Sequence, residues 1–127
     1  MADAVLGQSV PRREDRRFLT GAAKFTADFN VEGQLHGAVL RSPHAHAVIN
    51  AIEASAAAAL PGVVGVYTAA DLAADGIGPL PCAAADVVQT LAPIIVPPRH
   101  ALARERVRHV GDPVAFVVAE DYNTALD

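Results

Sequence analysis

"LHGAVLRSPHAHAVI", residues 35–49, is the stretch whose reading decides the fold. Leu35 to Arg41 has the mixed apolar character of a strand, and Ser42-Pro43 interrupts it. Pro43 offers no backbone donor to a ladder and biases Ser42 away from the helical region, so the chain must turn sharply here. Beyond it, "AHAVINAI" resumes an extended, β-branched pattern. The stretch therefore predicts two strands, or one strand with a sharp bend. It also places Arg41, Ser42, Pro43, His44 and His46 together at the bend, and an H-x-H pair raises the question of a metal.

Working outward toward the C-terminus, "EASAAAAL" predicts a short helix, with Glu53 suited to its positive end and Pro61-Gly62 stopping it. "VVGVYT" (63–68) predicts a third strand, and "AADLAA" (69–74) a turn of helix. From Asp75 to Arg99 the chain holds five prolines, two glycines and Cys82 around one apolar island, "LAPIIV". Loops longer than about 12–15 residues in compact domains are usually functional or disordered, so this segment is the expected place for contact with another surface. A strand is then predicted around Val107 to Val110, a turn at Gly111-Asp112-Pro113, and a strongly apolar strand from Val114 to Ala119. Asp121 is a good cap for a helix beginning at Tyr122. That helix has barely begun at Asp127, which leads us to expect a longer parent protein.

Toward the N-terminus, residues 1–34 read as an extended arm. Gly7, Pro11 and Gly21 break it, and the charged block "PRREDRR" reads as a solvated or internally paired cluster, with docking to another surface as the minority reading. Strands and short helices interleave too irregularly for regular βαβ crossovers. The expectation is an α+β domain, a mixed sheet with short helices, whose body spans residues 35–127.

Composition narrows the function. The 127 residues are 52% hydrophobic, enough for one domain that buries roughly two thirds of its unfolded surface. A net charge of -4, with no long basic stripe, disfavours nucleic acid as a partner. Cys82 is the only cysteine, so neither an intramolecular disulfide nor a multi-thiolate zinc site is available, and a reducing cytoplasm fits. Arg16-Arg17-Phe18-Leu19 lacks the apolar stretch an export signal needs, and no run approaches the roughly 20 apolar residues of a membrane span.

No set of residues forms a complete catalytic constellation. On a strand, His44 and His46 would share a face and could hold one metal, but a third ligand at fixed spacing is missing; backbone hydrogen bonding or an interface is the favoured reading. Cys82 has no basic neighbour to activate it. Gly62-x-x-Gly65 lacks the lysine of a phosphate loop, and neither Ser42 nor Ser55 lies in a nucleophile elbow.

Four ordered blocks go further: "GQSVPRREDRRFLTGAAKF", "LHGAVLRSPHAHAVI", "ALPGVVGVYTAADL" and "VRHVGDPVAFVVAE". Together they resemble the N-terminal α/β-hammerhead domain of the large, molybdenum-binding subunit of the xanthine dehydrogenase, aldehyde oxidase and carbon monoxide dehydrogenase family. The resemblance runs from about Gly7 to Asp127 and implies an excised or truncated domain at the start of a separate large subunit. It implies a parent enzyme that oxidises an aldehyde, an N-heterocycle or carbon monoxide with oxygen from water. The implied cofactors are a molybdenum-pterin cytosine dinucleotide in later domains of the same subunit, and iron-sulfur clusters and FAD on partner subunits. No catalytic, cofactor-binding or metal residue maps onto this chain, which is expected to be inactive alone. Arg41, Ser42, Pro43, His44 and His46 match the family's bend, and Gly111, Asp112 and Pro113 its turn, as structural or interface residues. The rival expectation is a small stand-alone metal-binding module built on His44 and His46.

Overall fold

The computed structural model describes Gly7, residues 9–82 and residues 95–127. The chain divides into two compact units, Met1–Gln34 and Leu35–Asp127. The first holds helix α1 (Asp15–Leu19) and a 3-10 turn at Thr26–Asp28, where an extended arm was expected. The difference has a local cause. Asp15 accepts from the Arg12 backbone N–H, Asp28 accepts from that of Phe25, and the Phe18 and Phe25 rings stack with centroids 5.1 Å apart.

The second unit is built on strands β1 (His36–Arg41), β2 (Ala47–Val48), β3 (Val63–Thr68), β4 (Arg106–Val107) and β5 (Pro113–Ala119). Helices α2 (Ser55–Ala58), α3 (Ala69–Ala74) and α4 (Tyr122–Leu126) complete it. The apolar strand β5 lies at the centre of a three-stranded sheet in the order β1-β5-β3, while β2 and β4 form a separate ribbon. The α+β architecture with short helices is as expected, and the sheet expected as mixed has only antiparallel pairs among the described residues.

Register explains which side chains form the core. Ala38 and Val66 flank Val117, and His36 and Val63 flank Ala119, all on one face. Helix α4 packs there and inserts Ala125 beside Ala38 and the fully buried Ala119, with Val63 against them. Alanine at these positions lets the helix approach closely. The opposite face carries Gly37, Val39, Phe116, Val118, Gly65 and Tyr67 by the same alternation.

Two strand expectations shorten. "AHAVINAI" yields only Ala47–Val48 as strand, with the Ile49 N–H still donating to the Glu105 carbonyl just beyond it. The strand expected at Val107 to Val110 ends at Val107, because the Arg108 N–H donates to the Asp112 carboxylate (2.9 Å) instead of to a ladder. Of the proline-rich loop, residues 83–94 lie outside the described residues.

Candidate functional site

The bend after β1 and the turn before β5 meet and lock together. A bulge at Leu40/Arg41 lets Arg41 pair with Pro113. Ser42 then exchanges backbone bonds with the turn: its N–H donates to the Asp112 carbonyl (2.9 Å), and its carbonyl accepts from the Gly111 N–H (2.8 Å). The Arg41 guanidinium donates to the Gly111 carbonyl at 2.9 Å. Three bonds thus join segments about seventy residues apart in sequence.

The Ser42 side chain is the inner anchor. It is 7% exposed, the one buried polar residue among those described. Its hydroxyl accepts from the His44 N–H (3.0 Å) and lies 3.2 Å from the His44 carbonyl, to which it can donate. A serine before proline bonding two residues onward is the turn chemistry that competes with ladder formation, which is why no strand passes through His44.

The turn has its own logic. The Asp112 N–H returns to the His109 carbonyl (3.2 Å), with Gly111 at φ +87°, a region that a β-carbon disfavours. The Asp112 carboxylate takes the Arg108 N–H and lies 3.6 Å from His109 Nε2. Pro113 then enters β5 where no donor is required of it.

His44 and His46 are exposed and belong to no strand, so the geometry that would have aimed both at one metal is absent. Among the described residues, no three His, Cys, Asp or Glu side chains gather as metal ligands, and no buried polar side-chain atom lacks a partner. These residues do not form a seat for a molybdenum-pterin group. Cys82 is exposed.

The open face of the three-stranded sheet is the feature the sequence reading missed. Val39, Phe116 and Tyr67 lie side by side across the three strands, and all are exposed, at 39%, 37% and 40%. Phe116 rests over Gly37, where an added β-carbon would lie 2.5 Å from the ring, and Tyr67 over Gly65 at 2.9 Å. The signal was present in the alternation of "GAVL", "VGVYT" and "VAFVVA", once the three strands are set side by side.

These features define a small α+β domain whose polar contacts serve its own backbone and whose sheet presents an uncovered apolar row. The family model described as aldehyde oxidase and xanthine dehydrogenase, a/b hammerhead domain, matches residues 20–127, and the chain belongs to that family. It is 44% identical over 123 residues to the nicotine 6-hydroxylase large subunit of Paenarthrobacter nicotinovorans. It is 40% identical over 122 residues to the carbon monoxide dehydrogenase large chain of Afipia carboxidovorans. These alignments take in 97% and 96% of this chain but 14% of each relative. Among solved structures, quinoline 2-oxidoreductase from Pseudomonas putida 86 superposes with a TM-score of 0.79 at 40% identity, over 95% of this chain and 15% of that one. No helix among the described residues is long and apolar enough to cross a membrane.

Proposed function

We propose that this chain is the hammerhead domain of the large subunit of a molybdenum-dependent hydroxylase or dehydrogenase, structural in role and without activity alone. The observation that carries the reading is the exposed Val39-Phe116-Tyr67 row, an apolar face suited to burial against another domain. The names of the relatives and the small share of their length that this chain spans support it. The parent enzyme oxidises an aldehyde, an N-heterocycle or carbon monoxide, the molybdenum-pterin group supplying that chemistry from other domains of the subunit. Iron-sulfur and FAD subunits are its electron-carrying partners, and the cytoplasm its location.

In this reading residues 1–34 are an arm of the domain. Arg41, Ser42, Pro43, His44, His46, Gly111, Asp112 and Pro113 hold its shape or meet its neighbours. The hydrogen bonds linking the bend to the turn support that assignment.

Titration of the purified chain with zinc, nickel and copper separates this from the metal-module alternative. The expected result is no stoichiometric submicromolar binding, and no molybdenum retained. Tight binding that disappears in the double variant His44→Ala/His46→Ala would overturn the structural reading in favour of a metal module.

A further inference from the structure

The two edges of the three-stranded sheet are not alike. At one end of β5 the Glu120 N–H donates to the Gly62 carbonyl beside β3. At the other, the Thr68 N–H, opposite Ala115, goes to the Asp71 carboxylate (2.6 Å) and not to the ladder. Phe116, Val118 and Glu120 therefore bond toward β3, and Ala115, Val117 and Ala119 toward β1. Their partners there are Leu40, Ala38 and His36, and the Ser42 N–H and carbonyl are both taken by the turn. The alternate residues Gly37, Val39 and Arg41 are exposed and point their N–H and C=O groups away from the sheet. Within Leu35–Asp127, no described backbone group bonds them. The edge of β3 is blunted by the bulge between Val63 and Gly65 and by the Asp71 carboxylate on Thr68. β1 has neither guard: the register shift at Leu40/Arg41 skips Val114 of β5, and β1 itself runs unbroken without a proline.

A bare edge of this kind takes another strand, and β1 is complementary to itself. In an antiparallel pair about a two-fold axis at Val39, Gly37 faces Arg41 of the second copy and Ala38 faces its Leu40. That register alone engages all of the outward residues of both copies. It sets Leu40, 57% exposed, against the small Ala38. Arg41, the only Lys, Arg, Asp or Glu of β1, meets a glycine, so no like charges stand opposite each other. Val39 meets its own counterpart, which shields that end of the exposed apolar row. We propose that β1 is a self-docking edge, at which two copies of this chain form one continuous antiparallel sheet in the order β3-β5-β1-β1-β5-β3. The pairing belongs to the chain itself and does not rest on its place in a larger enzyme.

The test is the mass of the full chain in solution, by sedimentation equilibrium up to about 1 mM, because a short ladder associates weakly. A reversible dimer of twice 13.2 kDa is expected. Val39→Lys sets two like charges against each other across the axis and should weaken the dimer about tenfold or more, as should Val39→Glu. Mixing the two variants should restore it, because opposite charges then face each other. Tyr67→Lys, on the far strand of the same face, should leave the dimer intact, and circular dichroism reports whether each variant is folded. Should the variants at position 39 misfold, amide exchange of the unaltered chain must slow at Gly37, Val39 and Arg41 as concentration rises. A monomer at every concentration, a dimer indifferent to folded variants at position 39, or no recovery on mixing would overturn the proposal. So would loss of the dimer in folded Tyr67→Lys, which marks stacking of the open faces.

Discussion

At the scale of single residues, Ser42 and Gly111 hold the bend and the turn in fixed geometry. Ser42→Ala removes a buried hydroxyl bonded to the His44 backbone, and should cost about 1 kcal/mol in urea unfolding of the chain. No change in the midpoint would mean that the hydroxyl does not hold the bend. Gly111→Ala meets no atom within 4 Å, so its cost is that of the left-handed backbone alone, about 1–2 kcal/mol. Gly37 differs: its substitution by alanine drives a β-carbon into the Phe116 ring. Gly37→Ala and Phe116→Ala should therefore couple in a double-mutant cycle by about 0.5 kcal/mol or more, and additive effects would show that the ring moves aside freely. Ser42-Pro43 and Gly111 were legible in the sequence because proline and glycine act on their own backbone. Phe116 over Gly37 was not, because that contact exists only after β1 and β5 come into register.

At the scale of elements, the caps decide where short helices begin. Asp121 accepts from the backbone N–H groups of Asn123 and Thr124 and from the Thr124 hydroxyl, as its position in the sequence predicts. Helix α3 has a cap that the sequence reading passed over. Thr68 accepts from the Ala70 N–H, while the Asp71 carboxylate takes the Thr68 N–H and hydroxyl. The T-x-x-D spacing was the available signal. The Thr124 hydroxyl first, then the Thr124 N–H, lowers the Asp121 pKa; for Asp71 it is the Thr68 hydroxyl, then the Thr68 N–H. Both folded values lie below the ordinary 3.8, so each carboxylate's contribution is present above that pH and is lost as pH falls through the lower folded value. Asp121→Asn should flatten the acid limb of stability against pH below 3.8, and an unchanged limb would remove the cap from the account. Strand ends were the least legible elements. β4 stops where the Asp112 carboxylate captures the Arg108 N–H, and Ser42 Oγ captures the His44 N–H ahead of β2; a pattern of apolar residues does not record that competition.

At the scale of the whole molecule, the proposed function accounts for the small alanine core and the exposed apolar row together, as a sheet to be finished by a neighbouring domain. Val39→Lys should leave the stability of the 127-residue chain within about 0.5 kcal/mol, because the side chain is already half exposed. The same substitution in a full-length large subunit should sharply reduce the yield of folded protein; an unaffected yield would mean that the row is not covered there. The central claim is that this domain is one part of a much larger molybdenum subunit. The most direct test is the size and metal content of the polypeptide bearing this sequence in its native cells, read by immunoblot of a sizing column alongside elemental analysis. Since this chain aligns with 14% of its relatives, the account predicts a band about seven times longer, eluting with molybdenum. A band at 13.2 kDa that elutes without molybdenum would contradict it.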